Sequence, residues 1–123
     1  VMVGSSQENF KAIKILLECF GTVRHVGPLG AGHAMKALNN YVSASGLLAS
    51  MQALATAEAY GIKANDFIEV INSSTGKNNS TQVKLLPFVI PRRYDSGFSL
   101  SLMTKDVEIA SSIIKDAEFS SPL

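Results

Sequence analysis

Apolar residues recur along this chain at two different intervals, and the point where the interval changes divides it. Val1-Met2-Val3-Gly4 is a short apolar run of strand type, and Thr22-Val23-Arg24-His25-Val26 alternates as a second short strand. Between them Phe10, Ile13, Leu16, Leu17 and Phe20 recur at helical spacing as far as Gly21, with Ser5 and Glu8 at capping-box separation. This predicts one amphipathic helix of roughly four turns. Strand, helix and strand in that order are the tail of a parallel α/β sheet. A short buried strand does not stand alone, so the remainder of the sheet is expected from elsewhere, and the chain reads as a fragment of a larger protein.

From Ala31 the period becomes helical and stays so to Tyr60, with Gly61 expected as the glycine that closes the helix. Thirty helical residues at about 1.5 Å each extend on the order of 45 Å. Within this run 21 residues separate Lys36 from Glu58 without a formal charge. A stretch of about 20 apolar residues can span a bilayer, but Asn39, Asn40, Ser43, Ser45, Ser50, Gln52 and Thr56 interrupt this one and much of the rest is alanine. The expectation is therefore a helix buried on most faces at a domain or subunit interface, with Gly46 and its small neighbours admitting a second helix, and no membrane span. Three further helices follow. One is capped by Asn65 and runs through Phe67, Ile68, Val70 and Ile71 to the Ser73-Ser74-Thr75-Gly76 cluster. The next is capped within Asn78 to Ser80 and carries Val83, Leu85, Leu86 and Phe88, with a kink or early end at Pro87. The last runs from about Leu100 to Lys115, before a turn-like end at Ser120-Ser121-Pro122-Leu123.

Composition narrows the field of partners. With 17% charged residues, a net charge of +1 and no block of like charge, the chain has no electrostatic footprint for nucleic acid, and Pro91-Arg92-Arg93 reads as a solvated loop. The single cysteine, Cys19, lies in the first helical stretch and is expected as a buried thiol in a reducing compartment. No metal-ligating set is expected.

Two glycine-rich segments invite and then fail a nucleotide-binding reading. Gly30-x-Gly32 sits between a strand and a helix, but Met35 stands at the third glycine position and no acidic residue follows a second strand about twenty residues on. Ser74-Thr75-Gly76-Lys77 lacks the Ser or Thr that a phosphate-binding loop needs, since Asn78 follows the lysine and Ile71 occupies the first glycine position. Asn72-Ser73-Ser74 and Asn79-Ser80-Thr81 match glycosylation triplets that arise often by chance. Lys36 stands apart. Asn40 lies one turn on at the same face, with His33 and Asn39 flanking it. Either Lys36 is the last solvated residue before a buried helix, its stem covering apolar surface, or burial and the helix N-terminus make it an amine able to exchange protons near neutral pH.

The segment Gly30-x-Gly32-x-x-x-Lys36-x-x-Asn39-Asn40 resembles the catalytic-helix signature of the β-hydroxyacid dehydrogenases, the family of 3-hydroxyisobutyrate dehydrogenase, tartronate semialdehyde reductase and, more distantly, 6-phosphogluconate dehydrogenase. Val1-Met2-Val3-Gly4 resembles the end of that family's Rossmann domain, and Asn72-Ser73-Ser74-Thr75-Gly76-Lys77 its Asn-x-Ser-Ser-Gly-Arg segment. Phe98 ahead of Lys105-Asp106-Val107-x-x-Ala110 resembles its Phe … Lys-Asp-Leu-x-x-Ala element. Thr75 and Lys77 depart from the pattern, which leaves substrate choice open. The resemblance implies that Lys36 is the catalytic proton-transfer lysine and that Asn40 binds the substrate's hydroxyl or carboxylate. It also implies that Asp106 steadies the substrate site, Lys105 reaches the nicotinamide cofactor, and Phe98 is an aromatic wall against both ligands. Without the family, Lys105-Asp106 would be a surface charge pair, because neighbours on a helix point apart.

The expected fold is mainly α: a helical domain similar to the C-terminal domain of 6-phosphogluconate dehydrogenase, built around one long helix, with a strand-helix-strand remnant of a Rossmann domain at its start. Residues 1–28 are expected to end the NAD(P)-binding domain and residues 29–123 to form an incomplete helical domain for substrate and oligomerisation. The implied activity is hydride transfer between NAD or NADP and a small β-hydroxy acid, with the cofactor held mainly by a preceding Rossmann domain, so that the chain alone is inactive. The implied partners are the hydroxy acid, that domain and a second copy met through the long helix; the implied location is the cytoplasm or an organelle matrix such as the mitochondrial one. A non-catalytic helical oligomerisation module is the rival reading.

Overall fold

A computed structural model describes residues 1–121 of the chain. Two short strands and five α-helices follow one another as β1 (Met2–Gly4), α1 (Gln7–Glu18), β2 (Arg24–Gly27), α2 (Ala31–Ala59), α3 (Ala64–Asn72), α4 (Asn79–Val83) and α5 (Leu100–Asp116), with a single π-helical turn, Leu85–Val89, after α4. The chain is mainly helical. The turn expected at Ser120-Ser121-Pro122-Leu123 lies partly outside the described residues. Contacts divide the fold into two compact units, one of Val1–Tyr41 with the C-terminal stretch from Lys105, the other of Val42–Thr104.

In the first unit β1 and β2 pair in parallel, with Met2 opposite Arg24, Val3 opposite His25 and Gly4 opposite Gly27, and α1 makes the crossover. Helix α1 starts one residue later than the capping-box spacing suggests. The Ser5 N–H is already used by the Gly27 carbonyl at 2.9 Å, so Ser6 takes the cap and its hydroxyl accepts from the Asn9 N–H. The helix ends at Glu18, three turns rather than four, and buries none of its residues within this chain. Leu16 and Phe20 stay exposed, and so does Cys19, against the expectation of a buried thiol. Only Val3 of β1 is buried, so the strand pair has little core of its own.

Glycine is required where β1 meets the start of α2. A Cβ on Gly4 would lie 2.4 Å from the Pro28 carbonyl oxygen and 2.7 Å from the Ala31 nitrogen, and one on Gly32 would lie 2.6 Å from the Met2 carbonyl oxygen. Helix α2 can enter so close to the strand only because both side chains are absent. Its first turns then bury Ala37 and Asn40, and α5 buries Asp106 and Ala110. The far end of α2 closes as expected. Gly61 takes φ +84°, its N–H reaches the Glu58 carbonyl, and the Ile62 N–H reaches that of Ala57, which is the Schellman arrangement.

The second unit is built on Leu54 and Ala57 of α2, Ile68 of α3, Ser80 and Thr81 of α4, and Leu85, which is fully buried. Helix α3 starts directly after the Schellman turn, with Lys63 in the cap position and no side-chain cap bond, so Asn65 falls inside the first turn rather than capping it. Asn78 caps α4 in a reciprocal capping box with Thr81. Pro87 explains why α4 stops where it does: its ring excludes the carbonyl of Val83, and the backbone continues as a π turn in which the Ile90 N–H reaches Leu85. On α2 the expectation of burial on most faces is not met within the chain, since Val42 and Leu48 are 69% and 56% exposed. Among the described residues no helix is long and apolar enough to cross a membrane.

Gly4→Ala and Gly32→Ala each force backbone atoms apart and are expected to destabilise the chain by about 1–3 kcal/mol, read as a lower midpoint in urea denaturation. Gly30→Ala, where a Cβ meets nothing within 4 Å but φ is +90°, should cost less.

Candidate active site

Four of the five side chains singled out in the sequence meet in the first unit. Lys36 and Asn40 stand one helical turn apart near the start of α2, and Lys105 and Asp106 begin the part of α5 that belongs to the same unit. Asp106 is the centre. Its Oδ2 accepts from Lys36 Nζ at 3.3 Å and from Asn40 Nδ2 at 2.5 Å, and its Oδ1 faces Lys105 Nζ at 2.7 Å. The Asn40 carbonyl oxygen in turn accepts from Asn39 Nδ2 at 3.2 Å, which fixes the amide with its nitrogen toward the carboxylate.

Burial is uneven across the group. Asn40 and Asp106 are buried, whereas the Lys36 and Lys105 side chains are 54% and 59% exposed. The burial assumed for a proton-exchanging Lys36 is therefore not found; the amine is half in water and ion-paired. Lys105 and Asp106 are not a surface pair pointing apart either, because the long lysine chain folds back over its neighbour while the shorter carboxylate stays inside. The Lys105 ammonium first, then the Asn40 amide and the Lys36 ammonium, hold the Asp106 carboxyl down to about 2 from an ordinary 3.8, against the opposing effect of burial.

Beside Lys36 lies an open pocket of about 350 Å³, lined by Val1, Met2, Gly32, His33 and Lys36. Its floor is the close approach of Gly32 to β1. A ligand seated there would meet the lysine ammonium. Phe98 belongs to the second unit. It lines an apolar pocket of about 360 Å³ with Phe88, Tyr94, Leu100 and Met103, and Lys84 stands among them. Tyr94 and Arg92 hold left-handed backbone at φ +54° and +56° in the loop that leads to it. The sequence marked Arg92 only as part of a solvated basic loop and did not single out Tyr94, nor the bond of 3.0 Å between the Tyr41 and Ser121 hydroxyls; neither of these has a spacing that marks it. Among the described residues no group of three His, Cys, Asp or Glu side chains could hold a metal ion.

Residues 30–123 match the family model described as the NAD-binding part of NADP-dependent 3-hydroxyisobutyrate dehydrogenase. The chain is 36% identical to the mitochondrial 3-hydroxyisobutyrate dehydrogenase of Drosophila melanogaster over 99% of its own length and 40% of that protein's. It is 31% identical to the NAD-dependent L-serine dehydrogenase of Pseudomonas aeruginosa over 99% of its length and 43% of the relative's. A solved structure of Mycobacterium tuberculosis 3-hydroxyisobutyrate dehydrogenase with L-serine superposes with a TM-score of 0.86 at 29% identity, covering 98% of this chain and 44% of that one. The chain thus spans less than half the length of these relatives.

Above about pH 5 the Asp106 carboxyl is ionised whether the chain is folded or not, and its contribution to stability is complete. As pH falls from about 5 through about 2 the unfolded form takes up the proton first, and that contribution is progressively lost. A carbon-13 NMR titration of Asp106 should show a midpoint near 2, and the acid-induced fall in Tm over this interval should be shallower in Asp106→Asn; a midpoint near 4 would contradict the ion-paired geometry.

The matched family model, the identities along nearly the whole chain and the superposition together establish that this chain belongs to the 3-hydroxyisobutyrate dehydrogenase family of oxidoreductases, whose cofactor is NAD(P).

Proposed function

We propose that the chain is the helical, substrate-side part of an NAD(P)-dependent dehydrogenase of small β-hydroxy acids. Residues 1–28 would end the Rossmann domain, and residues 29–123 would belong to a helical domain like the C-terminal domain of 6-phosphogluconate dehydrogenase, built around α2. The observation that carries this reading is the meeting of Lys36 Nζ and Asn40 Nδ2 on one oxygen of Asp106, within reach of the pocket beside Lys36. Two donors held side by side on a fixed acceptor suit a hydroxyl whose proton must leave and whose oxygen must stay in place.

The donor set also fits the charge of the ligands. With Lys36 protonated, Lys36, Lys105 and Asp106 together carry one net positive charge, which suits a ligand bearing a carboxylate. The named substrates of the relatives, 3-hydroxyisobutyrate, L-serine and 2-(hydroxymethyl)glutarate, share a hydroxyl on the carbon next but one to a carboxylate. None of these side chains can take up a hydride, and NAD(P) supplies that chemistry when bound. In oxidation the neutral amine of Lys36 takes the hydroxyl proton as the carbon becomes a carbonyl; in reduction its ammonium returns a proton to the forming alkoxide. Asn40 donates to the same oxygen and stabilises the charge that develops on it. Lys105 would face the cofactor.

The exposed Val42 and Leu48 support a subunit contact along α2, and the location proposed is the cytoplasm or an organelle matrix, as in the relatives named mitochondrial. In the full-length protein, Lys36→Ala should lower kcat for oxidation of L-serine or 3-hydroxyisobutyrate by about 10²–10⁴-fold, and Asn40→Ala should lower kcat/KM. Unchanged hydride transfer in Lys36→Ala would leave only the non-catalytic module. For the 123 residues alone no turnover is expected, and micromolar binding of NAD(H) or NADP(H) in calorimetry would contradict a cofactor site carried mainly by another domain.

A further inference from the structure

We infer that Lys105 serves the proton chemistry of Lys36 as well as any cofactor, by neutralising Asp106 while Lys36 is uncharged. This rests on the reading of Lys36 as the proton-transfer group. A base must begin the oxidation without its proton. With Lys36 neutral, a buried carboxylate that had only Lys36 as its cation would be left unpaired, and an unpaired buried charge is costly. Asp106 avoids this because its two oxygens are divided between the lysines, Oδ2 toward Lys36 and Oδ1 toward Lys105 at 2.7 Å. When Lys36 gives up its proton, Lys105 and Asp106 remain a neutral pair and Asn40 still donates to Oδ2. When Lys36 takes the substrate's proton, the new ammonium already has a carboxylate oxygen at 3.3 Å to face. Lys105 is a positioning residue here: it acts on the reaction through Asp106 and touches no reacting atom in this role.

The geometry sets the sign of the effect. Removing the Lys105 charge leaves Asp106 facing Lys36 alone, which favours the ammonium and makes the neutral amine scarcer at a given pH. Removing the Asp106 charge leaves Lys36 near a second cation, which disfavours the ammonium. Among the described residues His33, on the same helix, also lines the pocket at Lys36, and it does not change in these substitutions.

The test is the pH profile of kcat/KM for oxidation of L-serine or 3-hydroxyisobutyrate by the full-length protein at saturating NAD(P). Lys105→Met should move the acidic limb upward and Asp106→Asn should move it downward, each by about one pH unit. Lys105→Arg, which keeps the charge, should restore the wild-type limb. A rise in the cofactor's KM with the limb unmoved in Lys105→Met would reduce Lys105 to a cofactor contact and overturn the inference, and so would limbs shifting in the same direction. If Asp106→Asn does not fold, as read by circular dichroism, the Lys105→Met and Lys105→Arg pair decides alone. Lys36→Ala separates the two levels: full turnover without Lys36 removes the underlying reading, whereas loss of turnover with unmoved limbs removes only this inference.

Discussion

A carboxylate taken out of water must find donors, and Asp106 finds three from two helices whose contacting residues lie 66 and 70 positions apart in sequence. That requirement organises the first unit. If Asp106 lost its partners the cost would be that of a buried charge, so the start of α2 and the last turns of α5 are held in one register by it. The same bonds fix where the Lys36 ammonium and the Asn40 amide sit.

The backbone beneath this contact is arranged to let it form. Gly4 and Gly32 bring β1 within van der Waals reach of α2, which places the open pocket and the Lys36 ammonium against the end of the strand pair. Little of this is hydrophobic core in the usual sense; Val3, Ala37 and Ala110 are small or few. Polar bonds and glycine contacts do much of what larger side chains do in the second unit, where Leu85, Ile68 and Leu54 supply the core. The exposed apolar residues Val42 and Leu48 of α2 belong to the second unit.

Much of the fold was legible in the sequence because it follows local rules. The period change at Ala31, the Gly61 closure, the Asn78 cap and the break at Pro87 each depend on residues within a turn of one another. The misplaced caps at Ser5 and Asn65 have a different cause. Ser5 is claimed by a strand bond to Gly27, and Asn65 is overtaken by a helix that starts as soon as the preceding turn releases the chain; neither competitor is visible in local spacing. Cys19 was expected inside because its neighbours are apolar, yet the stripe to which it belongs finds nothing to cover it within this chain. In the site, the family resemblance pointed to Lys36, Asn40, Lys105 and Asp106 but not to their relation. That Asp106 is the common acceptor, and that Lys36 is half exposed rather than buried, are properties of two distant helices and had no signature in either one.

The most direct test of the account is a crystal structure of the full-length protein with NAD⁺ and L-serine or 3-hydroxyisobutyrate bound. The predicted result places the substrate hydroxyl within about 3 Å of both Lys36 Nζ and Asn40 Nδ2, with Asp106 still accepting from them. A hydroxyl bound away from these two donors, or an Asp106 turned out to solvent in the complex, would contradict it.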